Sequence, residues 1–205
     1  MLTNATMAGL LRPSDKRLAG FYDVALIITG SLLIALCAQV KIWLPKNPVP
    51  VTGQTFAVLM IGALFGARRG CFTVIAYITA GLAGLPVFAL GGGLAVLRGF
   101  TGGYLVGFVA AAYIVGLLAE RGWDRRVSTT IPAMLLGNIV IYACGLLWLS
   151  CLRGISNVLR VGLYPFIIGD LLKIALAAAL LPSGWKLLKI LNLGRRKRLG
   201  NGDGA

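Results

Sequence analysis

The sequence predicts an all-α integral membrane protein with six transmembrane helices, both termini cytoplasmic, and a Gly/Pro-rich outer loop region. Three observations lead there. Of 205 residues, 58% are hydrophobic and 13% charged, with a mean hydropathy of +0.87, whereas soluble domains carry roughly 25% charge. Residues 24–40, 51–67, 70–97, 99–119 and 127–152 contain no Asp, Glu, Lys or Arg, and 164–181 contains two charges. A membrane span needs about 20 mostly apolar residues. Finally, the basic residues alternate between the connections. With both termini inside, fourteen of the twenty (Arg12, Lys16, Arg17, Arg68, Arg69, Arg121, Arg125, Arg126, Lys186, Lys189 and Arg195 to Arg198) fall on the cytoplasmic side. Five (Lys41, Lys46, Arg98, Arg153, Arg160) fall outside. That excess sets orientation. The first two runs are the shortest, which leaves five spans as the alternative.

In chain order, residues 1–17 read as a solvated cytoplasmic tail, 18–190 as the membrane domain that binds a solute, and 191–205 as a basic cytoplasmic tail. Span one covers about 18–44. Ala35-Leu36-Cys37 resembles a cleavage site, but bulky Leu36 precedes the cysteine and apolar runs follow at once, so the segment reads as a retained span. Ser31 and Ala35 stand four apart, a small-xxx-small spacing that lets membrane helices approach closely. They serve either internal packing or docking of another membrane subunit. Pro45, Pro48 and Pro50 then stiffen an extended connection. Thr52 and Gln54 bring polar groups to the mouth of span two, which runs to Ala67. Arg68-Arg69-Gly70 turns the chain.

Span three begins at Gly70 and ends in Tyr77-Ile-Thr-Ala-Gly-Leu-Ala-Gly-Leu-Pro-Val-Phe88. A segment with six glycines (Gly91, Gly92, Gly93, Gly99, Gly102, Gly103) follows. Glycine allows unusual backbone angles and close approach to a ligand, and irregular backbone at membrane depth requires surrounding protein or a wet cavity. Arg98 is the one charge in this segment, either an interfacial anchor or an anion contact. Span four covers 104–119 and span five 131–150, where Asn138 is a lone polar residue of the kind that bridges helices. Tyr164-Pro165 opens the last span. The basic tetrad Arg195 to Arg198 is placed to meet anionic lipid headgroups.

Asp170 and Lys173 are the only charges in 164–181, and three residues apart they share a helix face. Ionisable groups inside a span are costly and point into protein, usually with a task. A packing ion pair is the plain alternative; a polar recognition site for a small solute is the reading preferred. Other functions are excluded or disfavoured by what the sequence lacks. There is no histidine, and the four cysteines have no metal-ligand spacing, so no metal site or cofactor is implied and an enzyme has little to work with. The glycine-rich segment lacks the Gly-Lys-Ser/Thr ending of a phosphate loop, so ATP hydrolysis belongs to no part of this chain. Nucleic-acid binding would explain the high pI but neither the charge alternation nor the hydropathy. A self-sufficient secondary transporter with Asp170 carrying a proton is the rival class, disfavoured by the absence of a visible repeat.

Val49-Pro-Val-Thr-Gly-Gln-Thr-Phe56, Gly66-Ala-Arg-Arg-Gly70, Tyr77-x-x-x-Gly81-x-x-Gly84-Leu-Pro-Val-Phe88, Thr101-Gly-Gly-Tyr104 with Gly107-Phe108, and Gly169-Asp-Leu-Leu-Lys173 occur in this order. Together they resemble the BioY proteins, the biotin-specific substrate-binding components of energy-coupling factor transporters. The resemblance covers about residues 18–190. It implies a six-helix membrane protein with an outward-facing biotin pocket under the first, third and fifth loops, and Asp170 and Lys173 as ligand contacts. It also implies partners: a membrane coupling subunit and paired ATPases, with self-association or a shared energising module as alternatives. Two departures alter loop shape. Gly99-Phe100-Thr101 stands where the family commonly has Gly-Pro-Thr, and Val51-Thr52-Gly53-Gln54 where it has Val-Thr-Leu-Gln. Tyr77, Phe88 and Tyr104 are placed to wall the ring and tail of such a ligand. Another vitamin, such as thiamine, would follow if the altered loops reshape the pocket.

Overall fold

The computed structural model describes residues 5–43, 49–154 and 158–200. Asp15 starts the first long helix by accepting hydrogen bonds from the backbone N–H groups of Arg17 (2.8 Å) and Leu18 (3.1 Å). This helix, α2 (Lys16–Gln39), follows a short α1 (Met7–Leu10). It ends five residues before the expected boundary because the chain leaves it as a ribbon. β1 (Lys41–Ile42) pairs antiparallel with β2 (Val51–Thr52), in the register Lys41 to Thr52 and Ile42 to Val51. Of the three prolines expected to stiffen this connection, Pro45 and Pro48 lie outside the described residues. Gly53 donates its N–H to the carbonyls of Cys37 (3.1 Å) and Val40 (3.0 Å), and a side chain there would press on the Cys37 carbonyl. That close approach accounts for glycine in place of the family's leucine.

α3 (Gln54–Phe65) and α4 (Ala67–Leu82) are joined by Gly66 at φ 88°, a backbone angle glycine reaches without strain. The expected third span stops at Leu82 for the same kind of reason: Gly84, at φ 97°, turns the chain out of the helix. An irregular segment and a five-residue helix, α5 (Leu94–Arg98), follow it. α6 (Gly102–Glu120), a 3-10 turn at Trp123–Arg125, α7 (Val127–Arg153), α8 (Val158–Gly162) and α9 (Tyr164–Gly200) complete the chain. Lys16–Gln39, Gly102–Glu120, Val127–Leu152 and Val158–Leu191 are each long and apolar enough to cross a membrane. α3, with 12 residues, and α4, with 16, are shorter. α9 continues through Pro182 for 37 residues, roughly 55 Å at the usual rise, so it extends well past the expected end of the last span.

The core gathers around α6, which is buried on most of its surface, whereas α2 is largely exposed. Small residues make this possible. Gly62 of α3 lies against the Ala112 backbone, Gly116 against Ala67, and Gly107 against Ile141 and Cys144 of α7; such contacts let membrane helices pack backbone to backbone. On α2 the buried face is Gly30, Ile34 and Ala38. Phe21 (75% exposed), Ile28, Leu32 and Leu36 point away from the protein, as expected of a face that meets acyl chains.

The basic end of the bundle corrects one expectation. Residues 6–10 are not a solvated tail: Thr6 and Ala8 are buried and Met7 packs on the core. Ion pairs hold the segment that follows, since Asp23 bridges Arg12 (2.7 Å) and Arg69 (2.7 Å). Nearby, buried Asp124 accepts from Trp185 Nε1 at 2.6 Å. The Arg125 guanidinium lies 4.5 Å above the Trp185 ring and donates to the Ala5 carbonyl at 3.2 Å. Burial pushes the Asp124 carboxyl up to about 6, against the opposing pull of Trp185, its own backbone N–H and Arg125. A raised acid binds its proton more tightly in the folded state, so the folded protein gains stability as pH falls from 6 towards 4 and loses it as pH rises through 6. Asp124→Asn keeps the acceptor for Trp185 and removes the charge. Its stability advantage over wild type is expected to grow by about 1.4 kcal/mol between pH 5 and pH 7.5, roughly one pKa unit of linkage. Melting curves in detergent across that range test this; a constant gap would refute it.

Candidate functional site

At the glycine-rich end, opposite the basic turn, α3, α6, α7 and α9 surround a cavity of about 500 Å³, counting its open mouth. Val49 and Pro50 before the ribbon strand, Thr52 in it, and Ala89 and Thr101 of the glycine-rich segment line the cavity on one side of the bundle. Tyr104, Phe108, Ile141, Tyr142 and Phe166 form an apolar and aromatic wall. Phe166 sits between the two tyrosines, 6.4 Å from each ring centre. Gln54, Thr55 and Lys173 add polar atoms.

The Asp170–Lys173 pair forms the polar end. Lys173 Nζ lies 3.0 Å from Asp170 Oδ1, and the carboxylate is 4% exposed as a residue. Its other donors come from other helices. Thr55 Oγ1 of α3 donates to Oδ1 at 3.3 Å, and the Tyr142 hydroxyl of α7 donates to Oδ2. Lys173 also donates to Thr55 Oγ1 at 2.8 Å. Lys173, Thr55 and Tyr142 line the cavity while Asp170 stands one hydrogen bond behind them. An ammonium has three N–H donors and a carboxylate about four acceptor positions. Lys173 therefore keeps one donor, and Asp170 one acceptor position, after these contacts.

The other residues singled out in the sequence divide. Thr52, Gln54 and Tyr104 line the cavity, and Tyr104 fixes its hydroxyl on the Gly162 carbonyl at 2.9 Å. Tyr77 and Phe88 are fully buried beside it and brace the site instead of walling it. The Tyr77 hydroxyl accepts from Gln54 Nε2 (2.5 Å) and donates to the Val87 carbonyl (3.2 Å). The Phe88 ring packs edge-on to Tyr77 at 5.4 Å, in a notch left by Gly81 that a methyl group would fill. These contacts, with Lys41 Nζ on the Ala89 carbonyl at 2.7 Å, tie the irregular segment to the bundle. Arg98 is exposed at the end of α5 and is not among the lining residues. Ser31 and Ala35 lie at the half-buried margin of α2, beside the internal packing face. Asn138 makes no bridge: its buried Oδ1 has no hydrogen-bond partner among the described residues, in a small void shared with Thr55 and Lys173.

Thr55, Tyr142 and Phe166 escaped the sequence reading. Two left a signal. Thr55 follows Gln54 directly, and Tyr142 stands four residues after Asn138, which puts two polar side chains on one face of an otherwise apolar span.

A profile of the BioY family matches residues 11–190. The chain is 37% identical over 160 residues to the biotin transporter BioY of Rhizobium etli, covering 74% of this chain and 86% of that one. It is 37% identical over 155 residues to the biotin transporter BioY of Thermotoga maritima, covering 75% and 90%. Among solved structures, it superimposes on the S-component for biotin from an ECF-type ABC transporter with a TM-score of 0.72 and 25% identity, covering 84% of this chain and 95% of that one.

Proposed function

This chain belongs to the BioY family, and we propose that it is a multi-pass protein of the cell membrane that captures biotin as the substrate-specific component of an energy-coupling factor transporter. The observation that carries the reading is the cavity whose polar end is a buried ion pair with hydrogen-bonding capacity left over. Biotin has a ureido ring with two N–H groups and a carbonyl, an apolar sulfur ring, and a chain ending in a carboxylate. The free N–H of Lys173 meets the ureido carbonyl, and a ureido N–H that reaches in between Lys173 and Tyr142 takes the remaining acceptor position of Asp170, which stands just behind them. Tyr104, Phe108 and Phe166 cover the apolar ring, and Thr52 and Gln54 stand nearer the mouth.

The six longer helices all lie within the membrane in this proposal, α3 and α4 as short members, with both termini cytoplasmic. The excess of basic residues on that side supports this orientation. The cavity then faces outward, where a scarce nutrient arrives. The chain carries no nucleotide-binding motif, so a coupling subunit and paired ATPases supply the energy, with Ser31 and Ala35 on the docking margin of α2. Proteoliposomes containing all these subunits should accumulate labelled biotin on addition of ATP and not with a pH gradient alone. Ser31→Leu with Ala35→Leu should bind biotin normally and fail to accumulate it. Accumulation driven by the pH gradient would replace this mechanism with proton coupling.

A further inference from the structure

Tyr142 is assigned no role by the family motifs, yet its hydroxyl is where α7 meets the ion pair. A carboxylate paired with an ammonium can only accept, so the hydroxyl hydrogen of Tyr142 must point at Asp170 Oδ2. The tyrosine is thereby left with oxygen lone pairs and no hydrogen to offer the cavity it lines. A hydroxyl whose proton is drawn towards a carboxylate is also the better acceptor, because hydrogen bonds in a chain polarise one another. Lys173, on the other side of the same carboxylate, keeps only a donor. Thr55 is committed both ways, giving its hydrogen to Asp170 and accepting from Lys173.

We propose that Tyr142 is a specificity-determining residue: its oxygen, fixed as an acceptor by Asp170, receives the second ureido N–H of the substrate. The inference rests on biotin being the ligand. It completes the match between site and guest, since a cyclic urea offers one carbonyl and two N–H groups, and Lys173, Asp170 and Tyr142 offer one donor and two acceptors. A ligand presenting a carbonyl or ether oxygen to Tyr142 would meet lone pair with lone pair and be rejected. Discrimination against a guest lacking a matched hydrogen bond is the strongest kind a buried polar site achieves.

The test uses the full-length protein in detergent, titrated with biotin and with each of the two biotins methylated on one ureido nitrogen. Tyr142→Phe should weaken biotin binding by about tenfold to a hundredfold, the usual range for a hydrogen bond to a charge-linked group. For one methylated isomer, the penalty relative to biotin should be large in wild type and nearly vanish in Tyr142→Phe; for the other it should persist. Equal penalties in both proteins would overturn the assignment. Should the variant not fold, a biotin-bound structure of the wild type decides: the Tyr142 oxygen within hydrogen-bond distance of a ureido nitrogen supports the inference, and a contact to carbon or solvent overturns it. A wild type that binds no biotin would instead sink the functional reading itself.

Discussion

Asp170→Asn is expected to weaken biotin binding by ~100-fold or more while the protein still inserts and purifies as a single species. The carboxylate collects donors from three helices: Thr55 on α3, Tyr142 on α7 and Lys173 on its own helix α9. An amide presents one oxygen and one NH₂, so at least one of these donors would lose its acceptor, and a hydroxyl beside the NH₂ would have to turn its hydrogen elsewhere. Lys173 would also lose the charge that holds it in place. Both consequences fall on the cavity wall, and neither touches the glycine contacts that pack α6 against α3, α4 and α7. Isothermal titration of purified variant and wild type measures the effect. Unchanged affinity would show that the carboxylate is a packing device and not part of the grip.

Lys173→Met is expected to remove binding to a similar degree and, unlike Asp170→Asn, to lower stability sharply. Methionine fills the volume but leaves Asp170 buried without its counter-charge, a situation that costs about 3–5 kcal/mol. Thr55 and Tyr142 still donate, which softens but does not cancel that cost. Combining Lys173→Met with Asp170→Asn removes both charges, so the double variant should regain most of the lost melting temperature and none of the affinity. Stability and binding thus separate. If Lys173→Met alone melts like wild type, the ion pair is far better solvated than its burial indicates.

Much of this architecture was legible in the sequence because charge and glycine are rare signals in an apolar chain. The runs without charge located the long helices, and two charges three residues apart located the polar end of the cavity. What stayed hidden has a common physical origin. Apolar character marks a buried residue but does not say whether it walls a cavity or supports the wall, so Tyr77 on α4 and Phe88 beyond its end could not be distinguished from cavity-wall residues. Tyr77 turned out to hold Gln54 and the Val87 carbonyl, with the Phe88 ring packed edge-on against it. The same blindness concealed Phe166. The end of span three was legible only as lying within 77–88, since apolar composition continues past Gly84, which turns the backbone out of α4. The N-terminal segment looked solvated because its anchors are tertiary: Arg125 reaching the Ala5 carbonyl, and Asp23 gathering Arg12 and Arg69. Tyr142 and Thr55 were legible in part, as polar residues beside others already noted, but only the fold shows that they meet at one carboxylate.

Native mass spectrometry of the protein released from mild detergent addresses the central claim most directly, namely that Asp170 and Lys173 hold biotin in this cavity. Wild-type protein incubated with an equimolar mixture of biotin and thiamine should carry one biotin per chain, and Lys173→Met should carry none. A thiamine adduct, no adduct at all, or the same biotin occupancy in both proteins would contradict it.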